Sequence, residues 1–107
     1  MQRDLDDPAY RAGIIDLLGL LAHGEMSAFE RLSADAGLAP NQRDRAALAA
    51  MANAEYKHFE QLRDRIVDLG ADPVQAMAPF NRAFAEFHAY TEPKDWLEGL
   101  LKAYIGD

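Results

Sequence analysis

Two helix-length hydrophobic stripes, separated by only a few turn-forming residues, constrain this chain more than anything else in it. Asp7-Pro8 offers an N-cap followed by proline in the first turn, where a missing N–H costs nothing. Apolar residues then recur at three-and-four spacing to about Ala36. Gly37 reads as the stop and Leu38-Ala39-Pro40-Asn41 as the connection, with Asn41 capping a second periodic segment that runs to Leu69 before Gly70. Helices of similar length on so short a link must lie antiparallel and side by side.

Asp72-Pro73 repeats the cap-plus-proline signal and opens an aromatic-rich stretch, with Phe80, Phe84, Phe87 and Tyr90, that Pro79 interrupts. It reads as short helices crossing over the hairpin. Thr91-Glu92-Pro93 starts a third main helix, whose apolar face carries Trp96, Leu97, Leu100, Leu101, Tyr104 and Ile105. No stop signal closes that helix by Asp107, so the pattern is expected to continue in a longer protein or to be completed by dimerisation. The expectation is an all-α antiparallel bundle in a single domain, 1–107, with helices at approximately 8–36, 42–69, 73–90 (broken at Pro79) and 93–107.

The stripes are not uniformly apolar. On the first helix the inward line reads Leu18, Leu21, Glu25, Phe29, Leu32; on the second it reads Leu48, Met51, Glu55, His58, Leu62, Ile66, Leu69. A carboxylate buried alone costs several kcal/mol or takes up a proton, so two carboxylates and an imidazole aimed at one core call for a shared cation. Glu25 lies roughly 11 residues before the turn, about 17 Å along the axis, and Glu55 roughly 13 after it, about 20 Å, so folding the hairpin brings them level. Glu55-Tyr56-Lys57-His58 is a Glu-x-x-His pair whose i, i+3 spacing puts both side chains on one helix face. The chain has no cysteine, so the donors are oxygen and nitrogen, a set that suits iron or manganese and, less distinctively, zinc. Gly106-Asp107 echoes Gly24-Glu25 when the third helix is aligned with the first, which makes Asp107 a candidate carboxylate ligand. His23 lies nearly opposite Glu25 on its helix and is expected to face solvent or a subunit contact.

The net charge of −7, with Arg43, Arg45, Arg63 and Arg65 interleaved with Asp44 and Asp64, offers no basic face for phosphates and argues against nucleic acid. The charged opening Met1 to Asp7 lacks the apolar stretch of a signal peptide. The longest clean apolar run, Leu17 to Ala22, is too short to span a bilayer. A cytoplasmic location without membrane contact is the expectation.

The segments Asp4-Leu5-Asp6-Asp7-Pro8, Gly24 to Leu32, Ala54-Glu55-Tyr56-Lys57-His58-Phe59-Glu60 and Asp95 to Tyr104 resemble an actinobacterial family of ferritin-like proteins related to the tRNA methylthio-isopentenyl-adenosine hydroxylases. The resemblance covers nearly the whole chain but only about the first half of a usual family member. It implies a four-helix bundle with a non-haem di-iron centre. Glu25 matches a terminal ligand, Glu55 the bridging carboxylate, His58 the imidazole on the first iron, and Asp107 the third-helix carboxylate. A second Glu-x-x-His has no counterpart here, so the chain carries half of a two-metal set, to be completed by a missing C-terminal half or by a homodimer. The function implied is O₂-dependent hydroxylation with an external electron donor, on an unknown substrate that the resemblance extends to a modified tRNA nucleoside. Iron binding for storage or detoxification, and a metal-free helical dimerisation module, are the alternatives.

Overall fold

The computed structural model describes residues 5–90, with side chains through residue 87. Among the described residues the chain is all-α: α1 spans Pro8–Leu38, α2 Gln42–Asp68, α3 Pro73–Met77 and α4 Asn81–Tyr90, with a 3₁₀ turn at Ala78–Phe80 between the last two. The proposed third main helix at 93–107, and Asp107 with it, lie outside the described residues.

Local chemistry sets the helix starts. The Asp7 carboxylate accepts from the backbone N–H of Ala9 at 3.0 Å, Asn41 Oδ1 from Asp44 N–H at 2.9 Å, and the Asp72 carboxylate from Gln75 N–H at 3.0 Å. The C-terminal end of α2 is closed by Gly70 at φ +86, where Gly70 N–H bonds Val67 C=O at 2.9 Å and Ala71 N–H bonds Ile66 C=O at 3.1 Å. This is the paired hydrogen-bond closure that a left-handed glycine permits. The end of α1 differs from the sequence expectation. The helix runs through Gly37 to Leu38 and stops at Ala39, which is extended at φ −64, ψ 142. The cause is Pro40, whose ring bars the residue before it from helical geometry.

Small residues let α1 and α2 approach along their shared seam. Near the turn, Leu32, Ala36 and Ala39 of α1 and the link bury against Leu48 and Ala52 of α2. Further along, Ala22 packs with Phe59, Ile66 and, from α3, Ala76. The backbone of α3 presses on α1 at Gly19, where a Cβ would overlap the Ala76 carbonyl. One turn on, His23 stacks on Phe84 with ring centroids 4.4 Å apart and planes 10° apart, and its Nε2–H donates to Asn81 Oδ1 at 2.8 Å. His23 therefore fastens α4 to α1, instead of facing solvent or a subunit contact as its position on the sequence helix implied. At the far end, Arg11 donates from Nη1 to the Leu69 carbonyl at 2.6 Å and from Nε to Leu5 C=O at 2.9 Å, tying the start of α1 to the end of α2.

The seam is rotated from the stripe read in the sequence. Its buried residues on α2 are Leu48, Ala52, Phe59 and Ile66, with Met51, Glu55 and Leu62 half-buried beside them. On α1 the seam centres on Ala22, Ala36 and Leu32, and Leu21, placed in the core by the sequence reading, is 46% exposed. Besides its seam with α2, α1 thus carries an exposed line of Leu17 and Leu21 that leads to Glu25.

Candidate metal centre

Glu25 sits on α1 one turn from Ala22 of the inner cluster and one turn from Phe29, which packs on the cluster near the link. Glu55 and His58 stand one turn apart on α2 at the same height. The three side chains converge: one donor atom from each lies within 4.8 Å of the other two. His58 Nδ1 is 3.6 Å from Glu25 Oε2, a contact of ion-pair length and too long for a good hydrogen bond.

Burial is uneven across the group. Glu25 Oε2 is sealed from water and has no hydrogen-bond partner. The His58 side chain is 57% exposed and that of Glu25 28%. The three are therefore not enclosed in a core, as the sequence stripe implied. They line the open side of the hairpin, with Glu25 turned inward, because α1 and α2 meet along a different seam.

The electrostatics follow from that placement. Burial raises the Glu25 carboxyl from its ordinary 4.5 to about 7, with the neighbouring Glu55 adding to the rise and His58 offsetting part of it. A group of two carboxylates and one imidazole with one orphaned inward oxygen fits a hard or borderline divalent cation, which would satisfy that oxygen and cancel the repulsion between the acids. Iron and manganese suit the donors best, zinc less distinctively. Three donors would leave further coordination positions for water or other ligands. Asp107, the fourth candidate ligand, lies outside the described residues.

Between the helices, the Phe29 and Tyr56 rings meet at 5.2 Å and Tyr56 meets Phe59 at 5.7 Å, making an aromatic wall. That wall also borders an open apolar groove of about 340 Å³, between Ser33 and Ala36 of α1 and Ala52 and Asn53 of α2. Tyr56 and His58 are two residues apart, about 200° round the helix, so the groove and the metal-ligand candidates face opposite sides of α2. The sequence reading did not foresee this groove; its signal was the alanine spacing of Ala49 and Ala52 beside two aromatic rings.

A family model described as the ferritin-like domain of actinomycetes matches residues 8–107. No curated protein matches the chain.

Proposed function

From its place in the ferritin-like domain family of actinomycetes, to which this chain belongs, we propose that it is a metal-carboxylate protein in which Glu25, Glu55 and His58 hold iron. The observation that carries this reading is the sealed Oε2 of Glu25, without a hydrogen bond and 3.6 Å from His58 Nδ1, among donor atoms within 4.8 Å of one another. An inward acid beside a second acid is costly unless a cation joins them. Asp107 belongs to the same proposal as a further carboxylate donor.

The reaction proposed is O₂-dependent hydroxylation in the hydroxylase-like branch, with an external donor supplying two electrons. Iron, when bound, supplies the redox chemistry that lets O₂ react with a C–H bond. The chain's own residues supply the setting. Glu25 and Glu55 provide carboxylate oxygens for a cation, and His58 adds a nitrogen donor at the open edge. Phe29, Tyr56 and Phe59 form an aromatic cluster between the two helices. A modified tRNA nucleoside is the substrate class that the hydroxylase relationship names, although a net charge of −7 works against a polyanionic partner. Salt-sensitive tRNA binding would retain that substrate, and its absence at low salt would remove it.

The exposure of His58 also favours a second reading, in which iron enters from solvent and is oxidised for storage or detoxification. Metal analysis after equilibration with Fe²⁺ under anaerobic conditions tests the shared premise. Iron retained by the native chain and lost in Glu55→Ala supports it; equal iron in both, or none in either, rejects it. Product analysis after admission of O₂ then separates substrate hydroxylation from oxidation of the metal alone.

A further inference from the structure

The groove between α1 and α2 plays no part in the metal reading, and its own lining is chemically distinctive. Its floor is small: Ala36 and Ala52 are buried, and Ala49, which is exposed, adds only a methyl. One part of it is aromatic. Phe29 and Tyr56 are tilted by 55° at 5.2 Å, and Tyr56 and Phe59 by 36° at 5.7 Å, separations at which tilted rings attract. Phe59 is buried while Phe29 and Tyr56 are half-buried groove residues, so the series of rings runs from the interior and ends at the groove. Polar side chains stand on both banks, Ser33 on α1 and Asn53 on α2, each exposed. No lining residue carries a charge, in a chain of which 27% of residues do.

We propose that this groove is a binding site separate from the metal-ligand candidates, and that its ligand is an uncharged aromatic small molecule of the phenol class. Its volume of about 340 Å³ lies within the span of small-molecule sites, which are mainly apolar and aromatic with a few polar groups that fix orientation. Each property of the ligand follows from the lining. An ionised group would lose water here and meet no counter-charge, which selects a neutral molecule. A ring continues the tilted series that Phe29 and Tyr56 end, and a flat body enters the slot that the alanines leave between the helices. A hydroxyl on that ring finds both kinds of partner, because the Ser33 hydroxyl and the Asn53 amide each donate and accept. The site needs no cation, so it stands whether or not Glu25, Glu55 and His58 hold one.

Titration of the full, ¹⁵N-labelled chain with phenol, cyclohexanol and benzoate, followed through its backbone amide resonances, tests this. Phenol is expected to shift the amides of Ser33, Ala36, Ala49, Ala52 and Asn53 with a Kd on the order of 1 mM. Cyclohexanol and benzoate are expected to bind there at least about tenfold more weakly. Ala49→Leu fills the groove from an exposed helical position that leaves the buried seam untouched, and should weaken phenol by about tenfold with the remaining resonances in place. No shift at these residues with phenol up to ~20 mM, the result expected if other residues of the chain fill the groove, overturns the site. Phenol binding unchanged in Ala49→Leu places the ligand elsewhere and overturns it equally. Cyclohexanol or benzoate binding as tightly as phenol overturns the ligand class.

Discussion

Glu25 and His58 meet at 3.6 Å across the hairpin, one with a carboxylate oxygen sealed from water and the other with its ring largely in solvent. The contact joins the inner and outer edges of one polar cluster, and a charge at either end is felt at the other.

Replacing Glu25 by Gln tests what that inward oxygen costs. The amide keeps the shape and removes the charge, and its NH₂ can donate to Glu55. The metal-free variant is expected to melt higher than the native chain at pH 8. Addition of Mn²⁺ should raise the melting temperature of the native chain and leave that of the variant nearly unmoved. Differential scanning fluorimetry with and without EDTA reads both effects.

The pH dependence has a definite sign. The Glu25 carboxyl is raised to about 7 in the folded chain against 4.5 when unfolded, so between those values the folded state keeps a proton that the unfolded state has lost. Its contribution to stability is complete below about 4.5, declines as pH rises, and is gone above about 7. Urea titrations in EDTA at pH 5, 6, 7 and 8 should show native stability falling over this range relative to Glu25→Gln. Metal affinity should move the other way and level off above pH 7, because the cation must displace that proton.

Glycine replacements along α1 should diverge. Alanine at Gly13 meets nothing within 4 Å and should stabilise the helix by about 0.5–1 kcal/mol. At Gly19 the added methyl overlaps the Ala76 carbonyl, so α3 must shift, and a net loss of roughly 1–3 kcal/mol is expected. Chemical denaturation of the two variants, measured side by side, decides the point.

Loss of the His23 ring should loosen α4 and leave the metal-ligand candidates assembled. His23→Ala removes the stack on Phe84 and the hydrogen bond to Asn81, together worth about 1–2 kcal/mol. Hydrogen exchange should rise in residues 81–87 and stay unchanged around Glu55.

The starts of α1, α2 and α3 were legible because Asp7, Asn41 and Asp72 act on N–H groups two or three residues away. The end of α1 was misread because Gly37 is a frequent stop, while the residue that ends this helix is Pro40, acting through Ala39. The convergence of Glu25 with Glu55 and His58 follows from helix rise and link length, both countable in sequence. Their uneven burial does not, because a periodic pattern gives the apolar side of a helix without saying whether one neighbour or two share it. Leu21 and His58 lie on the side that α2 and α1 leave to each other's flank. The position of His23 depended on Asn81 and Phe84, whose distance along the chain no local pattern bridges.

Gly19 gives α1 a notch at the height where α3 crosses. Because that crossing admits no side chain between the two backbones, the short helices after α2 are indexed to one rung of α1, and His23 takes the next rung for α4. Slippage by a turn would bring Ala76 against Ile15 or His23, so the whole crossover is keyed like a tooth in a rack, and a single hydrogen atom in place of a methyl sets its gauge.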